Sequence, residues 1–259
     1  MAFLRKHPTI ETTMEYSERE YRHHLENEHK KTPLTTYLKE IVYGGTDGII
    51  TTFAVVAGFS GAQIDGGYLP LISVILFGLA NLFADGVSMA LGNFLSIRAD
   101  KDLYRTEKDK EHHEIIHNER MEQSETEHIL VNKGFSADQA REVTALYMKN
   151  PDYWTEFMMR EELNMANPED HNPLYSGLAT FISFVSFGTI PLVPYLVSQN
   201  GPQQLFSLSI LFTGIALVTL GYLRFRVTKE SLVRSLGEVV ILGGSAASIA
   251  YFVGTFFRV

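Results

Sequence analysis

Residues 172–223 read NPLYSGLATFISFVSFGTIPLVPYLVSQNGPQQLFSLSILFTGIALVTLGYL, without one Asp, Glu, Lys, Arg or His. A hydrocarbon core about 30 Å thick needs about 20 apolar residues as helix. This run holds two such lengths, about 174–198 and about 203–223, joined by the uncharged link Ser198–Leu205. Three more stretches qualify. The first, about 41–62, carries one charge, Asp47; the second, about 69–97, carries Asp85; the last, about 235–257, carries Glu238. A large soluble bundle would show polar stripes at the helical period. These stretches are apolar all round, so the expected fold is all-α, a polytopic membrane protein with five transmembrane helices.

The hydrophobic fraction of 45% looks like that of a soluble protein only because polarity is segregated along the chain. Residues 98–171, between the second and third apolar stretches, contain 18 Asp/Glu, 10 Lys/Arg and 5 His. Their excess of acid equals the formal net charge of the whole chain, −8. A local acidic excess disfavours nucleic acid and favours cations. The chain has no Cys, which excludes disulfides, thiolate zinc sites and Cys-ligated iron–sulfur clusters. The expected organisation is an N-terminal cytoplasmic segment (1–40), transmembrane helices one and two (41–97), a cytoplasmic metal-binding domain (98–171) and transmembrane helices three to five (172–259).

Orientation follows from Lys and Arg. Lys30, Lys31 and Lys39 precede the first span, and Arg224, Arg226, Lys229 and Arg234 lie between the fourth and fifth. The links Gly61–Leu69 and Ser198–Leu205 have none. The positive-inside rule then places the N-terminus, the insert and the basic link in the cytoplasm. The polar segment 11–31, with Glu20 and His23 three apart, reads as a solvated surface helix. Pro33 fits the first turn of the helix leading into span one.

The insert reads as three helices. No proline interrupts Leu71 to Glu127, so span two can run on into the first of them, either straight or with a bend or short break inside that stretch. Asn132-Lys133-Gly134-Phe135-Ser136 is a stop followed by an N-cap, and Ser136 with Gln139 forms a capping box for the second. Asn150-Pro151 starts the third. Glu111 and Glu114 share a helix face, as do Glu122 and Glu125. Glu111 and Glu122 are three turns apart at about 3.6 residues per turn, which on one continuous helix puts all four acids near one stripe. Met158 and Glu162, four apart on another helix, add a thioether and a further carboxylate. A thioether among carboxylates favours a transition ion such as iron(II) or manganese(II) over calcium or magnesium. The competing reading is a charged helix in water, with Lys108, Lys110 and Arg120 paired to these acids. His112, His113 and His117 read as solvated. Glu125-x-x-His128 has the spacing of di-iron carboxylate bundles, which supports an alternative: a membrane-anchored, ferritin-like iron-oxidising protein.

Ionisable groups at membrane depth are costly and mark ion pathways. Asp47 lies among glycines and just before Thr51-Thr52, whose hydroxyls can add oxygen ligands. Asn81, Asp85 and Met89, at intervals of four, form one stripe of span two that can face Asp47 along an ion path. Glu238, near the cytoplasmic end of span five, reads as interfacial.

Three stretches resemble a known family, the vacuolar iron transporters. Tyr43-Gly-Gly-Thr-Asp-Gly-Ile-Ile-Thr-Thr-Phe-Ala-Val-Val-Ala-Gly58 resembles its first span. Ala84-Asp-Gly-Val-Ser-Met-Ala-Leu-Gly-Asn-Phe-Leu-Ser96 resembles its second. Asn150-Pro-x-x-Trp-x-x-Phe-Met-Met-Arg-x-Glu-Leu163 resembles the last helix of its cytoplasmic metal-binding domain. The resemblance covers about residues 35–257 and implies a homodimeric, proton-coupled exporter of ferrous and related divalent ions (manganese, with zinc and cobalt as further candidates). It implies a bilayer as environment, metal ions and protons as ligands, and no permanently bound cofactor. By the same resemblance the ion path runs through Asp47 and Met89 at the dimer interface. The metal-binding domain uses Glu111, Glu114, Glu122, Glu125, Met158 and Glu162. Members can carry Glu where this chain has Asn81, and Asp85 stands one turn away as its substitute. A compact chain with a short polar N-terminus favours a bacterial or archaeal cytoplasmic membrane over a vacuolar one.

Overall fold

A computed structural model describes residues 20, 21, 23, 24, 32–62, 71–169, 171–197, 201–228 and 231–257. Every regular element among them is helical. Most of the 11–31 segment, Lys30, Lys31, Lys229 and most of the Gly61–Leu69 link lie outside these residues, so the orientation argued from them rests on sequence.

The first unit, Met1–Leu38, contains the short helix α1 (Pro33–Thr36). Thr32 caps it: its hydroxyl accepts from the Thr35 amide at 3.2 Å, and Thr35 Oγ1 accepts from the Thr32 amide at 2.9 Å. Pro33 stands at the first helical position as expected, but α1 stops at Tyr37.

The second unit, Lys39–Val259, holds all but the first residue of α2 (Leu38–Ala62), followed by α3 (Leu71–His117). At 1.5 Å per residue, α2 is about 37 Å long, enough to cross a bilayer. Its glycines let neighbouring backbones approach. A Cβ on Gly44 would sit 2.6 Å from the carbonyl oxygen of Thr180, and one on Gly48 would run into the carbonyl of Phe184. Both neighbours belong to α7 (Pro173–Gly188), started by Asn172, whose side chain accepts from the amides of Leu174 and Tyr175. Small residues at a helix crossing allow close van der Waals packing in lipid, where hydrophobicity supplies no drive. Hydrogen bonds reinforce the contact: Ser183 Oγ donates to the Ile41 carbonyl at 2.7 Å, and Asn93 Nδ2 of α3 donates to Thr180 Oγ1 at 2.9 Å.

The expected third span is not one smooth helix. α7 ends at Gly188, a 3₁₀ turn covers Ile190–Leu192, and α8 (Val193–Val197) completes the passage. Pro191 and Pro194 cannot donate to the helical ladder. The Pro191 carbonyl is satisfied instead by Ser209 Oγ at 2.8 Å, from α9 (Pro202–Thr228). α10 (Leu232–Phe256) follows, tied to α9 by an ion pair between Arg224 and Glu238 at 2.7 Å. Among the described residues four passages are long and apolar enough to cross a membrane: Leu38–Ala62, Leu71–His117, Pro173–Val197 and Gln203–Thr228. In α10 the apolar run among described residues, Val240–Phe256, falls below that length.

α3 is the longest element. Its 47 residues continue unbroken from the apolar region through Arg98 into the acidic insert. The remaining insert helices are α4 (Glu119–Asn132), α5 (Ala137–Tyr147) and α6 (Pro151–Glu161). The first of the three expected insert helices is therefore two pieces, the end of α3 and α4, with a break at Asn118. The expected stop and caps are present. Gly134, at φ 103°, closes α4 with its amide on the Val131 carbonyl, and Phe135 donates to Leu130 at 3.2 Å. Ser136 and Gln139 make the reciprocal capping box at 3.3 and 3.0 Å. The insert packs around its own core: Ile115, Leu130, Ala140, Trp154, Phe157 and Met158.

Candidate metal centre

The break at Asn118 assembles the site. On a straight helix, residues 111 and 122 would lie about 16 Å apart along the axis, too far to share an ion. The single-stripe expectation is thus corrected. α3 and α4 meet at an angle that lets both bury an apolar face, Ile115 from one and Leu130 from the other, and that angle brings their acids together. One carboxylate oxygen each from Glu111, Glu122 and Glu162 lie within 4.8 Å of one another. Glu111 comes from the end of α3, Glu122 from the first turn of α4, and Glu162 from the C-cap of α6.

Glu111 and Glu122 are almost wholly buried, and Glu111 Oε1 and Glu122 Oε2 have no hydrogen-bond partner among the described residues. Burial pushes the Glu111 carboxyl up to about 8, with the charges of Glu122, Glu162 and Glu114 and a hydrogen bond to Glu122 adding to the rise. Glu122 is pushed up to about 7, chiefly by burial; its hydrogen bond with Glu111 works the other way, and the charges of Glu125, Glu162 and Glu114 raise it further. Glu162 is also raised, by burial and then by Glu125 and Glu114. Glu114 and Glu125 thus sit within electrostatic range, around the three oxygens that converge.

Cations do not offset this repulsion. Lys108 pairs with Glu156 at 3.2 Å and Lys110 with Glu107 at 2.7 Å. Among the described residues no Lys or Arg forms an ion pair with Glu111, Glu114, Glu122, Glu125 or Glu162. Three converging acids, Glu111 and Glu122 buried and Glu162 exposed, together offer the oxygen donors that a divalent cation takes.

Met158 is fully buried one turn before Glu162. Its sulfur lies 3.3 Å from the hydroxyl of Thr126, which also reaches the Glu122 carbonyl at 2.8 Å and accepts from Trp154 Nε1 at 2.7 Å. Thr126 therefore links the backbone of one acid, the thioether and the core tryptophan. Sequence reasoning missed it, because a threonine inside a helix carries no signal until its neighbours from α6 are in place. His128 is exposed and stands outside the group of three acids.

Within the apolar region Asn81, Asp85 and Met89 lie half-buried along one stripe of α3, and Asp47 lies half-buried on α2. Asp47 and Asp85 are within electrostatic range of each other. Thr51 Oγ1 donates to the Asp47 carbonyl at 2.8 Å, whereas Thr52 Oγ1 is buried without a partner. Sequence reasoning also passed over Glu40, seven residues before Asp47 and so within about 20° of it around the helix. Its carboxylate is buried, with Oε2 unpartnered. Placing the start of the first span at Ile41 hid it.

Comparison with known proteins matches the same stretch of chain. A sequence model described as the VIT family covers residues 38–255. Vacuolar iron transporter 1 of Tulipa gesneriana is 32% identical over 226 residues, 87% of this chain and 89% of the relative. Vacuolar iron transporter 1 of Arabidopsis thaliana is 31% identical over 83% of each chain. The vacuolar iron transporter of Toxoplasma gondii is 32% identical over 89% of this chain and 78% of its own. A match over nearly the whole second unit, from the first apolar helix through the insert to the last, makes this chain a member of the VIT family.

Proposed function

We propose that the chain exports divalent transition metal ions, iron(II) and also manganese(II), from the cytosol in exchange for protons, working as a homodimer. The coarser part rests directly on kinship: relatives named as iron transporters make it an integral membrane protein that moves metal ions, and not an enzyme. The observation that carries the finer reading is the continuity of α3. One helix bears Glu111 of the acid group and, further back, the stripe Asn81, Asp85 and Met89 beside Asp47.

In this reading the insert is cytoplasmic and captures the ion on Glu111, Glu122 and Glu162, with Glu114, Glu125 and Met158 around them. Asp47, Met89 and Asp85 pass it across, Asp85 standing in for an acid at Asn81. α10 is the fifth span, which puts the C-terminus on the far side. A carboxylate in a poorly solvated path can carry either a cation or a proton, which is the requirement for exchange. The membrane favoured is a prokaryotic cytoplasmic one. The ferritin-like alternative needs His128 at the metal, and its exposed position outside the acid group gives it no support.

Reconstituted into liposomes with an imposed pH gradient, the protein should move iron(II) while dissipating the gradient. Asp47→Ala should abolish that flux with helical content unchanged, and undiminished flux would refute the path. Replacing Glu111, Glu114, Glu122 and Glu125 together by Gln should remove manganese(II) binding from the acid group. An unchanged calorimetric isotherm would refute capture there.

A further inference from the structure

Three histidines lie on α3 beside the acid group. His112 is engaged, its Nδ1 3.1 Å from Thr155 Oγ1. His113 and His117 pair with each other, and they bracket the run His113-Glu114-Ile115-Ile116-His117. Histidines four apart present two imidazoles on one helix face, the spacing used by helical zinc sites. Glu111 and Ile115, also four apart, form the buried face of α3. His113 and His117 follow them by two residues, about 200° around the axis, and both are exposed. The two histidines therefore face away from Glu111, and the two sets cannot hold the same ion.

The rings are stacked on one another, with centroids 3.9 Å apart and planes 26° from parallel, and one of them has to turn before both can bind the same ion. His117 Nδ1 lies 2.8 Å from the His113 carbonyl oxygen. A carbonyl only accepts, so Nδ1 carries the hydrogen, and in the neutral ring Nε2 keeps its lone pair. Metal-ligating histidines are oriented by such a bond. An open groove of about 570 Å³, lined by Thr106, Asp109, Lys110, His113 and Glu114, lies alongside. Asp109 is one turn before His113, on the same stripe.

We propose that His113 and His117 chelate a second metal ion, with water completing its coordination. Imidazole donors, together with the order of divalent affinities, favour copper(II), nickel(II) and zinc(II) over iron(II) and manganese(II). The insert then sorts ions by two donor sets on opposite faces of one helix: oxygen and thioether inside, nitrogen outside. This site stands or falls independently of the transport reading.

The test uses full-length protein in detergent, titrated calorimetrically with nickel(II) and manganese(II) and examined with copper(II) by electron paramagnetic resonance. H113A/H117A should lose one nickel(II) equivalent, or weaken it at least about tenfold, with manganese(II) binding unchanged. H117A alone should lose as much as the double variant, because a chelate needs both rings. H112A and E111Q/E122Q/E162Q should keep the nickel(II) equivalent. The copper(II) spectrum should show coupling to two imidazole nitrogens, lost in H113A/H117A. Both histidines are on the surface, so the variants should fold, as circular dichroism will report. A nickel(II) isotherm and copper(II) spectrum unchanged in H113A/H117A would overturn the proposal. So would loss of the nickel(II) equivalent in the triple glutamine variant, which would mean a single shared site.

Discussion

Glu111 and Glu122 hold protons at pH values where exposed glutamates have lost them, and an incoming cation must displace those protons. Binding to the acid group should therefore tighten with pH. With two protons displaced, the rise approaches about a hundredfold per pH unit well below about 7; with one, it is about tenfold per unit between about 7 and 8; above about 8 it levels off. Manganese(II) calorimetry in buffers of differing ionisation enthalpy would count the protons directly. The metal-free fold should show the converse. Both acids have folded-state values above the ordinary 4.5, so their contribution to stability is complete below about 4.5 and is lost as pH rises toward 8. Saturating manganese(II) should cancel that loss in thermal melts. Thr126 is the other residue with a distinct signature. Thr126→Val keeps the shape but leaves the buried Trp154 indole N–H without its acceptor, which should cost about 1–3 kcal/mol of insert stability. The acids themselves were legible in sequence because an unneutralised surplus stands out in composition. Thr126 and Glu40 were not, since burial is a property of the folded chain.

Helix ends were read well wherever a side chain writes them, as at Ser136, Gly134 and Asn150. They were read poorly where tertiary packing decides. Nothing local demands a break at Asn118; the acids of α3 and α4 meet because Ile115 and Leu130 seek one core. The interrupted third passage had a visible cause in Pro191 and Pro194, but a length criterion averages over it. The glycines of α2 are the element-scale test of packing. In Gly48→Ala the new methyl would strike the Phe184 carbonyl, which cannot move without α7. A cost of about 1–3 kcal/mol is expected, seen as a lower melting temperature in detergent. Gly92→Ala, with nothing within 4 Å of the added carbon, should be neutral or slightly stabilising.

Across the whole molecule, segregation of charge was the most legible property. It separated the apolar helices from the insert before any contact was known, and kinship along 38–255 follows the same order. The route between the two regions was not legible, because an absence of proline permits a continuous helix without requiring one. The structure supplies it as α3. From Met89 to Glu111 this helix measures about 33 Å at 1.5 Å per residue. No ion can step directly between residues so far apart, so in the proposed transport cycle an ion released from the acid group would have to reach the path by diffusion. One ion confined to a sphere of that radius is at a concentration of about 10 mM, comparable to the effective concentrations of tethered ligands. On that view the insert acts less as a relay than as a local reservoir, raising the supply of a scarce ion at the mouth of the path while leaving its intrinsic affinity for the path unchanged.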